Sequence, residues 1–134
     1  LKVFSCFFLI LLVFLLREYE FRVYDIGCGG VKEEVRISRS GAWFIIEGAV
    51  NIPDPCHTIK IFPELKVDDK VLLVHLKASK AKVICIQCIA HAKFSIRINI
   101  FHLRQQFNTN KIRVSVDYYV RGRSAVLYNG EVEI

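Results

Sequence analysis

The chain has no Met, a single Trp and only three Pro in 134 residues. It contains no Asn-x-Ser/Thr acceptor site, no internal repeat and no low-complexity tract. The absences extend to chemistry. No Gly-x-Ser-x-Gly sets a nucleophile on an elbow. No pair of carboxylates lies on an apolar background, where one could stay protonated for acid–base work. Gly27-Cys28-Gly29-Gly30 lacks the Lys-Ser/Thr ending that grips phosphate and Mg²⁺, so it reads as a flexible turn. His57, His75, His91 and His102 are dispersed, without metal-ligand spacing. No catalytic constellation emerges, and the sequence implies a non-enzymatic protein without a cofactor. The chain opens on Leu1, which with the lack of Met implies a non-AUG start or one further upstream.

Charge is not concentrated anywhere. Nineteen Lys and Arg against 13 Asp and Glu give a net charge of +6, and the pI is near 9.2. Such a balance permits binding to nucleic acid, but the basic residues are scattered among acids. The densest group, Lys77, Lys80 and Lys82, has no aromatic residue interleaved. It reads as a solvated loop, and no nucleic-acid partner is expected.

Hydrophobic residues make up 53% of the chain, and the mean hydropathy of +0.34 is high for a soluble domain. Part of the excess is one run, Val3 to Leu16, preceded by Lys2 and closed by Arg17-Glu18. Fourteen residues fall short of the ~20 that span a bilayer. The run fits the apolar core of a secretory signal. No small-x-small cleavage pattern precedes Arg17 and no lipobox follows. A retained signal-anchor therefore stands beside a cleaved signal. A buried core helix is the third reading, and the missing polar face argues against it. The expectation is an N-terminal hydrophobic helix, residues 1–17, acting as signal peptide or anchor. A domain over 18–134 would then lie outside the cytoplasm, secreted or held at the outer face of the cytoplasmic membrane. Membrane contact would run only through residues 3–16.

From Tyr19 onward, short runs alternate apolar and polar residues. Tyr19, Phe21 and Val23 form the first; Val35 and Ile37 belong to the second; Ala42–Val50 is the third, with Gly48 marking a bulge or close backbone approach. Pro53 and Pro55 then fix a stiff corner, since neither can sit inside a central ladder. A strand over Cys56–Leu65 puts His57, Ile59 and Ile61 on one face. Val67-Asp-Asp-Lys70 is a turn, Val71–Lys77 a strand and Ala78–Ala81 a loop. Lys82–Ala90 is apolar on both faces, as in a central strand. Phe94–Ile100 and Ile112–Tyr119 alternate cleanly around a polar loop at Gln105–Lys111. Gly122-Arg-Ser124 turns into a last strand. About eight strands at ten-residue spacing, with no convincing helix after residue 17, predict an antiparallel, immunoglobulin-like β-sandwich.

Five cysteines are present. Cys6 lies in the apolar leader and Cys28 in the glycine turn, leaving Cys56, Cys85 and Cys88. A secretory leader implies an oxidising compartment, where Cys56 can form a structural disulfide with a cysteine about thirty residues on. Such a loop predicts roughly 3–4 kcal/mol of stabilisation. Buried free thiols are the plainer alternative. Cys56, His57, Cys85 and Cys88 make a nominal zinc set, but on strands adjacent sulfurs point to opposite faces. Cys85-Ile-Gln-Cys88 has the spacing of a redox motif without the helix that would lower its thiol pKa.

Gly48-x4-Pro-Asp-Pro55-Cys56-His57, followed by Val83-Ile-Cys85-Ile-Gln87 and two alternating strands, resembles a loose class of uncharacterised secreted prokaryotic immunoglobulin-like β-sandwich proteins. A Pro-Cys-His corner and a later Val-Cys-x-Gln strand recur in them. The resemblance covers about residues 40–120. It implies that Cys56 and Cys85 are the disulfide pair, and Cys88 departs from its pattern. The functional expectation is an exported, disulfide-stapled module for protein or cell-surface binding or for structural assembly. A zinc-binding or thiol-redox protein using Cys56, His57, Cys85 and Cys88 is the second reading. A membrane-anchored assembly subunit is the third.

Overall fold

The computed structural model describes residues 19–81 and 84–134. Its elements are β1 (Tyr19–Cys28), β2 (Glu34–Ser40), β3 (Trp43–Ile52), β4 (His57–Lys66), β5 (Val71–Lys80), β6 (Ala90–Asn99), α1 (Ile100–Phe107), β7 (Lys111–Val120) and β8 (Arg123–Glu133). The strands form two four-stranded sheets, ordered β1-β6-β3-β2 and β4-β5-β7-β8. The expectations for residues 1–17, and for Cys6 within them, lie outside the described residues.

Period-two patterning makes the core. In β6, Ala90, Ala92, Phe94, Ile96 and Ile98 are buried, while Arg97 on the other face is exposed. Its neighbour β3 adds Phe44, Ile46, Val50 and Ile52. The second sheet answers with Leu72, Val74 and Leu76 from β5 and Ile112, Val114 and Val116 from β7. Alternating apolar residues on the inner faces of two sheets are what a sandwich core requires. Gly48 of β3 is a close approach: a Cβ there would collide with the backbone of Glu34 and Val35 on β2.

Four expectations need correction. The sandwich is not wholly antiparallel, because β5 and β7 pair in parallel. A parallel pair needs a long crossover, here supplied by β6 and α1. The second correction is α1 itself, in a place expected to hold the end of a strand and a polar loop. Asn99 ends β6 and caps the helix, its side-chain oxygen accepting from Phe101 N at 2.9 Å and His102 N at 3.4 Å. Ile100, Leu103 and Phe107 then fall on one buried face, the i, i+3, i+7 pattern. Asn108, left-handed at φ 51°, closes the last turn with its N–H on Arg104 O at 2.8 Å.

The third concerns Lys82–Ala90. β5 runs through the expected loop to Lys80, and β6 starts only at Ala90. Residues 84–89 are irregular, and Ile84, Ile86 and Ile89 are 104%, 75% and 70% exposed. The reason is connectivity. This segment crosses from one sheet to the other, and its two cysteines are bonded to different sheets (below), so it cannot join either ladder. The fourth is the glycine turn. β1 continues through Gly27 to Cys28, and the chain turns at Gly29, whose φ is 107°.

Candidate functional site

The corner Asn51–His57 is held by its own polar groups. Asn51, next to last in β3, has its side chain bonded to both Val31 N and Val31 O at 2.8 Å. Tyr118 of β7 donates its hydroxyl to Asn51 O at 2.7 Å. Burial, with Glu33 nearby, pushes the Tyr118 phenol above the ordinary value of 10.0, which keeps its proton in place for that bond. Beyond the first proline, the Asp54 side chain folds back on the chain. Its Oδ1 accepts from Cys56 N at 2.9 Å and from His57 Nδ1 at 2.9 Å. The first is an Asx-turn, the side-chain mimic of a backbone turn. His57 N closes the turn onto Asp54 O at 3.3 Å.

Both side chains of the Asp54–His57 pair are only 3% exposed. The His57 hydrogen bond is the main cause that holds the Asp54 carboxyl below its ordinary value of 3.8. Burial opposes it, and the Cys56 N–H and the charges of His57 and Lys80 add to it. The enclosed pair and its hydrogen bonds clamp the corner.

The clamp delivers Cys56 to Cys85, with S–S 2.05 Å and Cα–Cα 6.0 Å. A second bridge joins Cys28 to Cys88, with Cα–Cα 5.8 Å. Both separations lie in the ordinary range for a disulfide. Cys28 ends β1 in one sheet, and Cys56 immediately precedes β4 in the other. The segment 84–89 is therefore pinned once to the end of β1 and once to the turn that leads into β4. Gly29 N donates to Ile89 O at 2.7 Å and Ala81 N to Cys56 O at 3.2 Å, fixing its two flanks.

The structure thus brings Cys56 and Cys85 together, the pair implied by the resemblance, and separates them from Cys88. The four-residue zinc set is not assembled. Its three sulfurs are spent on two different disulfides and offer no thiolate in this form, and His57 is bound to Asp54 through Nδ1. The metal-type cluster present among the described residues is a different one, Asp54, Cys56 and Cys85, with ligand atoms within 4.8 Å of one another. Cys85 and Cys88 are bonded to different partners and not to each other. Of the other histidines, His75 lies between Asp117 (2.7 Å) and Glu64 (3.6 Å) on neighbouring strands. His91 Nδ1 donates to Gly29 O at 2.9 Å, and His102 packs in α1.

Two functional positions escaped the sequence reading, Asp54 and Cys28. A signal existed for Cys28. Once Cys6 is assigned to the leader, four cysteines remain in the body, an even number that in an exported domain implies two bridges. For Asp54 the local signal was weaker, an Asp three residues before a His across a proline.

Fold and site together define a class: an all-β, two-sheet protein closed at one end by two disulfides. Comparison with protein-family models, curated proteins and solved structures yields no match. Two intramolecular disulfides point to an oxidising, extracytoplasmic environment. Among the described residues no helix is long and apolar enough to cross a membrane.

Proposed function

We propose that the chain is an exported, non-enzymatic β-sandwich module of immunoglobulin-like type, whose role is to hold a rigid surface toward a protein or cell-surface partner. The observation that carries this reading is the double staple. Cys56–Cys85 and Cys28–Cys88 pin the segment 84–89 at two points while Ile84, Ile86 and Ile89 stay exposed. Apolar side chains presented on a loop with little freedom left to lose are a preorganised binding element. The size and the face-to-face sheets support the immunoglobulin-like assignment, with the parallel β5–β7 pair as its distinguishing departure.

Thiol trapping on intact cells tests the reading. With alkylation before lysis, Cys28, Cys56, Cys85 and Cys88 are expected to escape modification unless a reductant is added first. Modification of these four as free thiols overturns it. The run Val3–Leu16 favours a second form of the same reading, a subunit anchored for assembly at the outer face of the cytoplasmic membrane. N-terminal sequencing of the native protein separates the two. A start beyond Leu16 means a released module, and a retained run means an anchored one.

A further inference from the structure

Among the described residues, the end of the sandwich away from the disulfides is open. Cys28 ends β1, while Tyr19 begins it and is paired with Ile98 near the end of β6. Cys56 precedes β4, whereas Ile61, Pro63 and Leu65 lie further along it, opposite Leu76, Val74 and Leu72 of β5. At this far end the inner faces part to leave a cleft of about 190 Å³, which reaches the surface beside the edge strands β1 and β4. Across the molecule, the other two edge strands, β2 and β8, approach each other. The sandwich is therefore shut along one side and at one end, and parted at the opposite corner.

The walls are hydrocarbon. Ile61 and Leu65 line the cleft from β4, Leu72 and Val74 from β5, Ile96 and Ile98 from β6. Among the described residues that line it, none is charged, and Tyr19 and His102 supply the only polar side-chain atoms. An apolar cavity of about 150 Å³ stays dry and takes up benzene-sized molecules, so this one holds a length of hydrocarbon and not a whole lipid. A peptide strand is a poor occupant, because Pro63 interrupts hydrogen bonding along the β4 edge that it would have to extend. An occupant that needs only apolar contact has no such difficulty. A source of one is close by in the chain. The apolar run ends at Leu16, three residues before Tyr19, which itself lines the cleft.

We propose that this cleft binds one aliphatic chain of a membrane lipid, inserted between the two sheets beside Tyr19. The lipid source rests on residues 3–16 reaching a bilayer, as in the anchored form above. The test uses the full chain in phosphatidylcholine vesicles with a trace of phosphatidylcholine carrying a diazirine near the end of one acyl chain. After irradiation, labelled peptides are mapped by mass spectrometry. Label is expected at residues 61–65 and 96–103, in addition to residues 3–16. Ile61→Trp fills the cleft from its rim and is expected to lower label at 96–103 by about tenfold, leaving residues 3–16 unchanged. Non-reduced peptide mapping that finds Cys28–Cys88 and Cys56–Cys85 shows that the variant has folded. Label confined to residues 3–16, or label at 96–103 that ignores Ile61→Trp, overturns the proposal. Label in the cleft without label at 3–16 sinks the anchored form and leaves the cleft assignment standing.

Discussion

Asp54 keeps a carboxylate charged at a site 2% exposed to solvent, and the corner depends on that charge. Its pKa is held below 3.8 in the folded protein, chiefly by His57. The folded state therefore binds this proton less readily than the unfolded chain. The stability it confers is present above 3.8 and is lost as pH falls through the folded-state value. Urea midpoints of the wild type should drop on that acid limb. Asp54→Asn should start lower at neutral pH and show a flatter acid limb, as two-state unfolding over a pH series will read out. Tyr118 has the opposite sign. Its raised pKa gives stability that is present below 10.0 and lost as pH rises beyond it. Gly48→Ala puts a methyl group into the β2 backbone, and a loss of about 1–3 kcal/mol is expected by thermal unfolding. The sequence announced Gly48 as a bulge or close approach, because a glycine inside a β-branched run has few other reasons to be there. It hid Asp54, because a side chain folding back over a proline leaves no periodic trace.

Elements built on strict alternation were legible, and elements built on connectivity were not. β6 and β7 could be read from residue parity, since one buried face demands period two. α1 escaped because Ile98 and Ile100 continue the strand parity, and only the Asn99 cap breaks it. The segment 84–89 reads as buried strand by composition, yet its bonds to two sheets hold it out of both. Paired substitutions make the contrast measurable. Ile96→Ala, in the core, should cost about 2–5 kcal/mol. Ile86→Ser, on the pinned segment, should change stability by no more than about 0.5 kcal/mol. An equal loss at both sites in denaturant unfolding would show the segment to be packed.

At the scale of the molecule, both staples sit at one end and close loops of different length. The Cys56–Cys85 separation is 29 residues and that of Cys28–Cys88 is 60. On the chain-entropy model their removal as Cys→Ser pairs should cost about 3.5 and about 4 kcal/mol. Guanidinium unfolding of the two double variants tests that order. Two sheets of alternating strands were foreseeable from the spacing of turns. The parallel β5–β7 pair was not, because strand order depends on how the crossover returns, and no local pattern encodes it.

The two bridges are also nested, one inside the other along the chain. Four cysteines can pair in three ways, and only one of these places Cys56–Cys85 within Cys28–Cys88. A chain emerging from its N-terminus into an oxidising compartment exposes Cys28 and Cys56 together before Cys85 exists to compete. First-come pairing would yield Cys28–Cys56 and Cys85–Cys88, neither of which is native. The native pattern must be reached by thiol exchange or by β-strand formation that keeps Cys28 waiting. Oxidative refolding should therefore stall in mispaired species when exchange is blocked and recover when a thiol–disulfide buffer or an isomerase is supplied.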